Sequence, residues 1–134
     1  MLEYRNLRGK TLDQNKFTRS DGWLLFTLSR KYQNLRTIIS AGDHYNHAIF
    51  TYEELNQGLL RLLQNGYAEQ SDKKFRINDK GKELIKNHLL SDSISDMIRL
   101  SDIIVSMVSG IEVDYSKPVI SVIEYDIAIK GYMR

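Results

Sequence analysis

The 134-residue chain has no cysteine and only one proline. Without cysteine there is no disulfide, no thiolate metal site and no cysteine nucleophile. Such a chain fits a reducing compartment, and we expect a cytoplasmic protein. No run of 18 apolar residues occurs, so no membrane-spanning helix is expected. The opening MLEYRNLRGK lacks the apolar core of a secretion signal. The phosphate loop, G-x-G-x-x-G, G-x-S-x-G and H-E-x-x-H are all missing. We therefore expect a protein that is not an enzyme and takes no cofactor.

Hydrophobic residues make up 42% and charged residues 27%, which points to a globular chain rather than a disordered one. A chain of this length suits one domain and can bury roughly two-thirds of its unfolded surface. The net charge is only +2 but unevenly spread. Residues 1–36 carry eight Lys and Arg against three acids, whereas the remainder carries eleven against fourteen. A basic extension over 1–19, with Arg5, Arg8, Lys10, Lys16 and Arg19, could steer an anionic partner. Tyr4, Leu7, Leu12 and Phe17 are its candidate anchors.

The pattern beyond residue 20 is mostly helical. Ser20 or Asp21 can cap a strongly apolar helix to about Tyr32. Asn34 caps a second, to about Asn46, with Leu35, Ile38, Ile39 and Gly42 on one face. Ala48–Phe50 reads as a short strand. Thr51 and Glu54 form a capping box for a third helix ending at Asn65-Gly66. Its buried stripe is Leu55, Leu59, Leu62 and Leu63, and Gly58 implies close approach of a neighbouring helix. Phe75 and Ile77 alternate with Lys74 and Arg76, the pattern of one strand in a hairpin around Ser71-Asp72. Asn78 caps a helix to about Leu90, with Leu84, Ile85 and Leu89 inward. Ser93 and Asp96 open another, from Ile94 to about Ser109, stopped by Gly110. Ser121 and Glu124 form a second capping box, which favours helix over strand for 122–133, with Tyr125, Ala128, Ile129 and Tyr132 at helical spacing.

The segments LRTIISAGDHYNHAI, FTYEELNQGLLRLLQNGYAEQ and FRINDKGKELI carry a resemblance. Leucines at 59 and 62, a glycine at 66 with an apolar residue after it, then N-D-K-G at 78–81, are common in MarR-like and PadR-like domains. In these segments the chain resembles the winged helix-turn-helix superfamily over residues 20–90. The ending EYDIAIKGY is similar to the closing helix of small uncharacterised bacterial winged-helix proteins. The resemblance implies a mainly α (α+β) fold with a small β-hairpin wing, followed by C-terminal helices over 91–134 packing on the same domain. It also implies a double-stranded DNA partner and a role as a transcriptional regulator.

Placing Leu55 at the centre of the buried face puts Glu53, Gln57, Leu60 and Gln64 outward, flanked by Glu54, Arg61 and Asn56. Base reading falls to Gln57, Arg61 and Gln64, and backbone contact to Lys73, Lys74 and Arg76 of the wing, helped by Arg5 and Arg8. The third helix carries two acids against one base, so its charge argues against a strong grip. The competing expectation is a winged helix that binds protein: an adaptor, antitoxin or immunity-type protein. Its candidate patch is Leu60, Met97, Ile104 and Val108. A homodimer through the C-terminal helices is a further expectation. Asp43, His44 and His47 have metal-like spacing but lack further ligands, so no metal is expected. Glu53-Glu54 is better explained by capping than by acid/base chemistry.

Overall fold

The computed structural model describes residues 16–88 and 94–133. Arg5 and Arg8, like Tyr4, Leu7, Leu12, Leu89 and Leu90, lie outside the described residues. The protein is mainly helical, with one small antiparallel sheet. Helices α1 (Arg19–Thr27), α2 (Leu35–Asn46) and α3 (Tyr52–Gln64) precede the hairpin β1 (Ala68–Ser71) and β2 (Lys74–Ile77). Helices α4 (Asp79–His88), α5 (Ile94–Ile104) and α6 (Val122–Met133) follow. Helix α1 packs against α2, α3 and α5, and α6 packs along α2. The core gathers Leu24, Leu25, Ile38, Ile39, Phe50 and Leu55 with Phe75, Leu100 and Ile104, all fully buried.

Local signals fix most of the helix ends. Both ring bonds of the Thr51 capping box form: Glu54 N–H donates to Thr51 Oγ1 at 3.1 Å, and Thr51 N–H to Glu54 Oε1 at 2.9 Å. The same reciprocal pair joins Ser121 and Glu124, at 2.9 and 3.0 Å. Gly66 sits at φ 79°, a left-handed position that costs glycine little. Tyr67 N–H then reaches the Leu62 carbonyl and Gly66 N–H the Leu63 carbonyl, closing α3 with paired terminal bonds. The hairpin register sets Ala68 opposite Ile77 and Gln70 opposite Phe75, which turns Phe75 and Ile77 into the core.

Three elements differ from the sequence expectation. The first helix begins after Thr18, which forms a capping box with Asp21, and stops at Thr27 rather than near Tyr32. Leu28 turns extended because residues 29–33 are used along the hairpin. Gln33 exchanges both backbone bonds with Phe75, and Ile77 N–H donates to the Ser29 carbonyl. Residues 48–50 form no strand; Phe50 is held by its buried ring. Helix α5 ends at Ile104, not Ser109, because its β-branched run Ile103-Ile104-Val105 is a weak helix continuer and Val108 bridges to Lys16.

Gly58 is the close approach that the sequence implied. A Cβ there would meet Leu24 Cδ2 at 2.9 Å and Asp21 Oδ1 at 3.0 Å. On an isolated helix Gly→Ala gains about 1 kcal/mol. Here we expect Gly58→Ala to destabilise by about 1–3 kcal/mol in urea unfolding, because the crowded atoms are themselves pinned. A stabilised variant would show that α1 and α3 are free to separate at this point.

Candidate functional site

The face of α3 expected to point outward is only partly open: Glu53 and Gln57 are exposed, whereas Leu60 is buried and Gln64 is bonded by the chain itself. Residues 109–120 run antiparallel along it, tied at successive side chains. Asn65 Oδ1 accepts from Ser109 Oγ and the Gly110 N–H. Gln64 clasps Asp114 twice, its amide donating to the carbonyl at 2.8 Å and its oxygen accepting the N–H at 2.7 Å. Arg61 donates to the Tyr115 hydroxyl at 3.1 Å. Nearer the amino end, Asn56 Oδ1 accepts the Val119 and Ile120 N–H groups, and the Tyr52 hydroxyl donates to the Ile120 carbonyl. Within this strap Val113 and Ile120 are themselves buried. Leu60, on the face the strap crosses, is only 7% exposed. Thr51, Glu53 and Gln57 are the α3 positions left well exposed, counting the Thr51 cap.

Arg61 was expected beside the reading face; it is instead 4% exposed. Its Nε and Nη2 donate to the two oxygens of Asp21 at 2.6 and 2.9 Å, a planar two-bond pair between α3 and α1. Asp21 is fully buried and also accepts the Thr18 N–H at 2.9 Å. Burial disfavours the Arg61 charge, but the bonds and charge of Asp21 more than offset it, and its pKa lies above the ordinary arginine value. This guanidinium serves the core.

The hairpin cations are partly engaged. Arg76 pairs with Glu69 at 2.8 Å and stacks over the Tyr32 ring. Lys73 lies 3.4 Å from Glu124 at the start of α6. Lys74 is exposed, as are Lys31 and Arg36 nearby, and no ion pair joins these three to any described residue.

Of the expected apolar patch, only Val108 faces solvent, at 67%. Met97 and Ile104 are buried with Leu100 against α1, and Leu60 is buried too, so these three correct the expectation. Gly22 lets α5 come this close: a Cβ there would sit 2.6 Å from Ser101 Cα.

Among the described residues, a run of exposed apolar side chains lies instead on α6. Its inner side carries Tyr125, Ala128, Ile129 and Tyr132 against the core. The Tyr125 hydroxyl donates to the Phe50 carbonyl and the Tyr132 hydroxyl to Asp43, both at 2.6 Å. The Asp43 bond pushes the Tyr132 phenol up from its ordinary value, burial adding to it. On the outer side Val122 is 55% exposed, Ile123 71%, Ile127 66% and Met133 65%. A helix apolar all round is normally buried all round. Beside Ile127 an open groove of about 390 Å³ runs between α6 and the start of α2, lined by Leu35, Arg36, Lys73 and Ala128. The sequence carried this signal: Val122, Ile123, Ile127 and Met133 are apolar positions outside the inner stripe.

Asp43 is taken by Tyr132, and His47 holds a left-handed conformation (φ 52°) at the end of α2. Among the described residues no group of three His, Cys, Asp or Glu is placed to hold a metal ion. No described helix is long and apolar enough to cross a membrane. The chain matches no protein-family model, no curated protein and no solved structure.

Proposed function

We propose that this chain is a non-catalytic, protein-binding winged helix, of the adaptor, antitoxin or immunity type, acting in the cytoplasm. The order of two helices, a box-capped third helix, a hairpin and a closing helix supports the winged-helix reading. One observation carries the choice of protein over DNA: residues 109–120 tie up Gln64 and Asn56 of α3, leaving Gln57 as the exposed reading candidate on that helix. A reading helix must put donors and acceptors into the major groove. Here Arg61 and Asn56 are buried, Gln64 is spent on Asp114, and Glu53 stands at the amino end where a phosphate would otherwise sit. Lifting the strap would take Tyr115 from Arg61 and Asp114 from Gln64.

The DNA-binding regulator is the second reading. What favours it is the trio Lys31, Arg36 and Lys74, exposed and without an ion pair among the described residues, which leaves some phosphate affinity available. The two readings separate on immobilised duplex DNA at low salt. We expect the protein to elute without retention, and reversing Lys73, Lys74 and Arg76 to change nothing. Salt-dependent retention that this reversal abolishes would favour the regulator and overturn the protein-binding reading.

A further inference from the structure

The outer face of α6 has a pattern that selects its partner. Ile123, Asp126, Lys130 and Met133 are spaced three, four and three residues apart, which aligns them in one seam on the helix. Asp126 and Lys130 are exposed, and neither has an ion-pair partner among the described residues. Val122 and Ile127 flank the seam and are exposed as well.

We propose that this seam binds the same seam of a second copy of the chain, with the two α6 helices antiparallel. This goes beyond the protein-binding reading and stands on the seam alone. In an antiparallel pair about a two-fold axis, facing positions have a constant sum. Setting Asp126 against Lys130 of the second copy fixes that sum, and it sets Ile123 against Met133 at both ends. Two opposite-charge contacts then fill the middle and two apolar contacts close the ends, all four from one self-complementary patch. A parallel pair would set Asp126 against Asp126 and Lys130 against Lys130, which repel. The charges therefore fix orientation and register, while the apolar residues supply the attraction. The inner face of α6 is held by Tyr125 and Tyr132, so the helix is already fixed before it pairs.

One 12-residue helix from each copy makes a small interface, and the association belongs to the weak, concentration-dependent class. Sedimentation equilibrium of the full chain, from roughly 10 µM to about 1 mM, should show mass rising from the 15.6 kDa monomer toward twice that value. Asp126→Lys alone, or Lys130→Asp alone, replaces two attractions by two repulsions and should weaken association by about tenfold or more. The double variant D126K/K130D restores the attractions in reverse and should return the wild-type midpoint. Circular dichroism melting should be unchanged in all three, because both positions are exposed. A monomer at every concentration overturns the proposal. So does a dimer indifferent to the single swaps, or one that the double swap fails to rescue. Duplex retention of the same wild-type preparation would overturn the protein-binding reading instead and leave the seam to be judged by its own mass data.

Discussion

Replacing Arg61 by alanine should lower stability by about 3–5 kcal/mol, the scale seen when one member of a buried ion pair is removed. The cost is less the lost attraction than the charge left behind. Asp21 is fully buried, and Thr18 N–H is the one bond it would keep among those now made to it. Neutralising that charge as well should recover most of the loss. We expect Asp21→Asn combined with Arg61→Met to lie within about 1–2 kcal/mol of the wild type, since a buried pair often performs no better than matched neutral groups. Urea unfolding of the two single variants and the double measures the coupling directly. If Arg61→Ala costs less than about 1 kcal/mol, as for an exposed pair, the guanidinium is within reach of solvent. Arg61 would then return to the outer surface of α3 as a group free to meet a ligand.

That experiment bears on why the sequence was legible in some places and not others. The capping boxes at Thr51 and Ser121, the Asn65-Gly66 stop and the alternation through Phe75 and Ile77 are contacts among near neighbours, and each forms as the local pattern implies. On α3 the outward positions Glu53 and Gln57 are exposed as the spacing implies, but Leu60 and Arg61 are buried for the opposite reason. A helical wheel assigns Leu60, Arg61 and Gln64 outward because it knows only the helix. The partners of Arg61 and Gln64 on this side come from residues about 50 positions later, Tyr115 and Asp114, in a segment with no periodicity of its own. Arg61 between leucines in LLRLL was a hint of burial, but nothing local ties it to Asp21, 40 residues away. The seam on α6 was visible in principle. The inner stripe of Tyr125, Ala128, Ile129 and Tyr132 is enough to specify a helix, so helical spacing alone does not distinguish the apolar surplus on its other side.

Trp23→Ala should be the second severe substitution, at about 3–5 kcal/mol. Trp23 is 5% exposed, stacks on Phe50 with ring centroids 3.6 Å apart, and donates its indole N–H to the Gly42 carbonyl at 3.0 Å. The Phe50 ring presses so closely on α2 that a Cβ at Gly42 would lie 2.4 Å from it. Alanine at 23 therefore leaves a cavity that this tight joint has little room to refill. Trp23→Phe keeps a ring in the stack and loses the indole bond, so we expect a smaller cost of about 1–2 kcal/mol. The consequence travels outward along bonds already described. Phe50 anchors the Tyr125 hydroxyl and α2 anchors Tyr132 through Asp43, so loosening the Trp23 joint loosens the bed of α6. Amide exchange in Trp23→Ala should accelerate in α2 and α6 together, and more than in the hairpin, if these helices open as one unit. The seam of α6 would then pair less tightly without any change to its own residues. Exchange that speeds up in α2 alone would show that α6 is held by other contacts and that its surface is presented independently of the aromatic core.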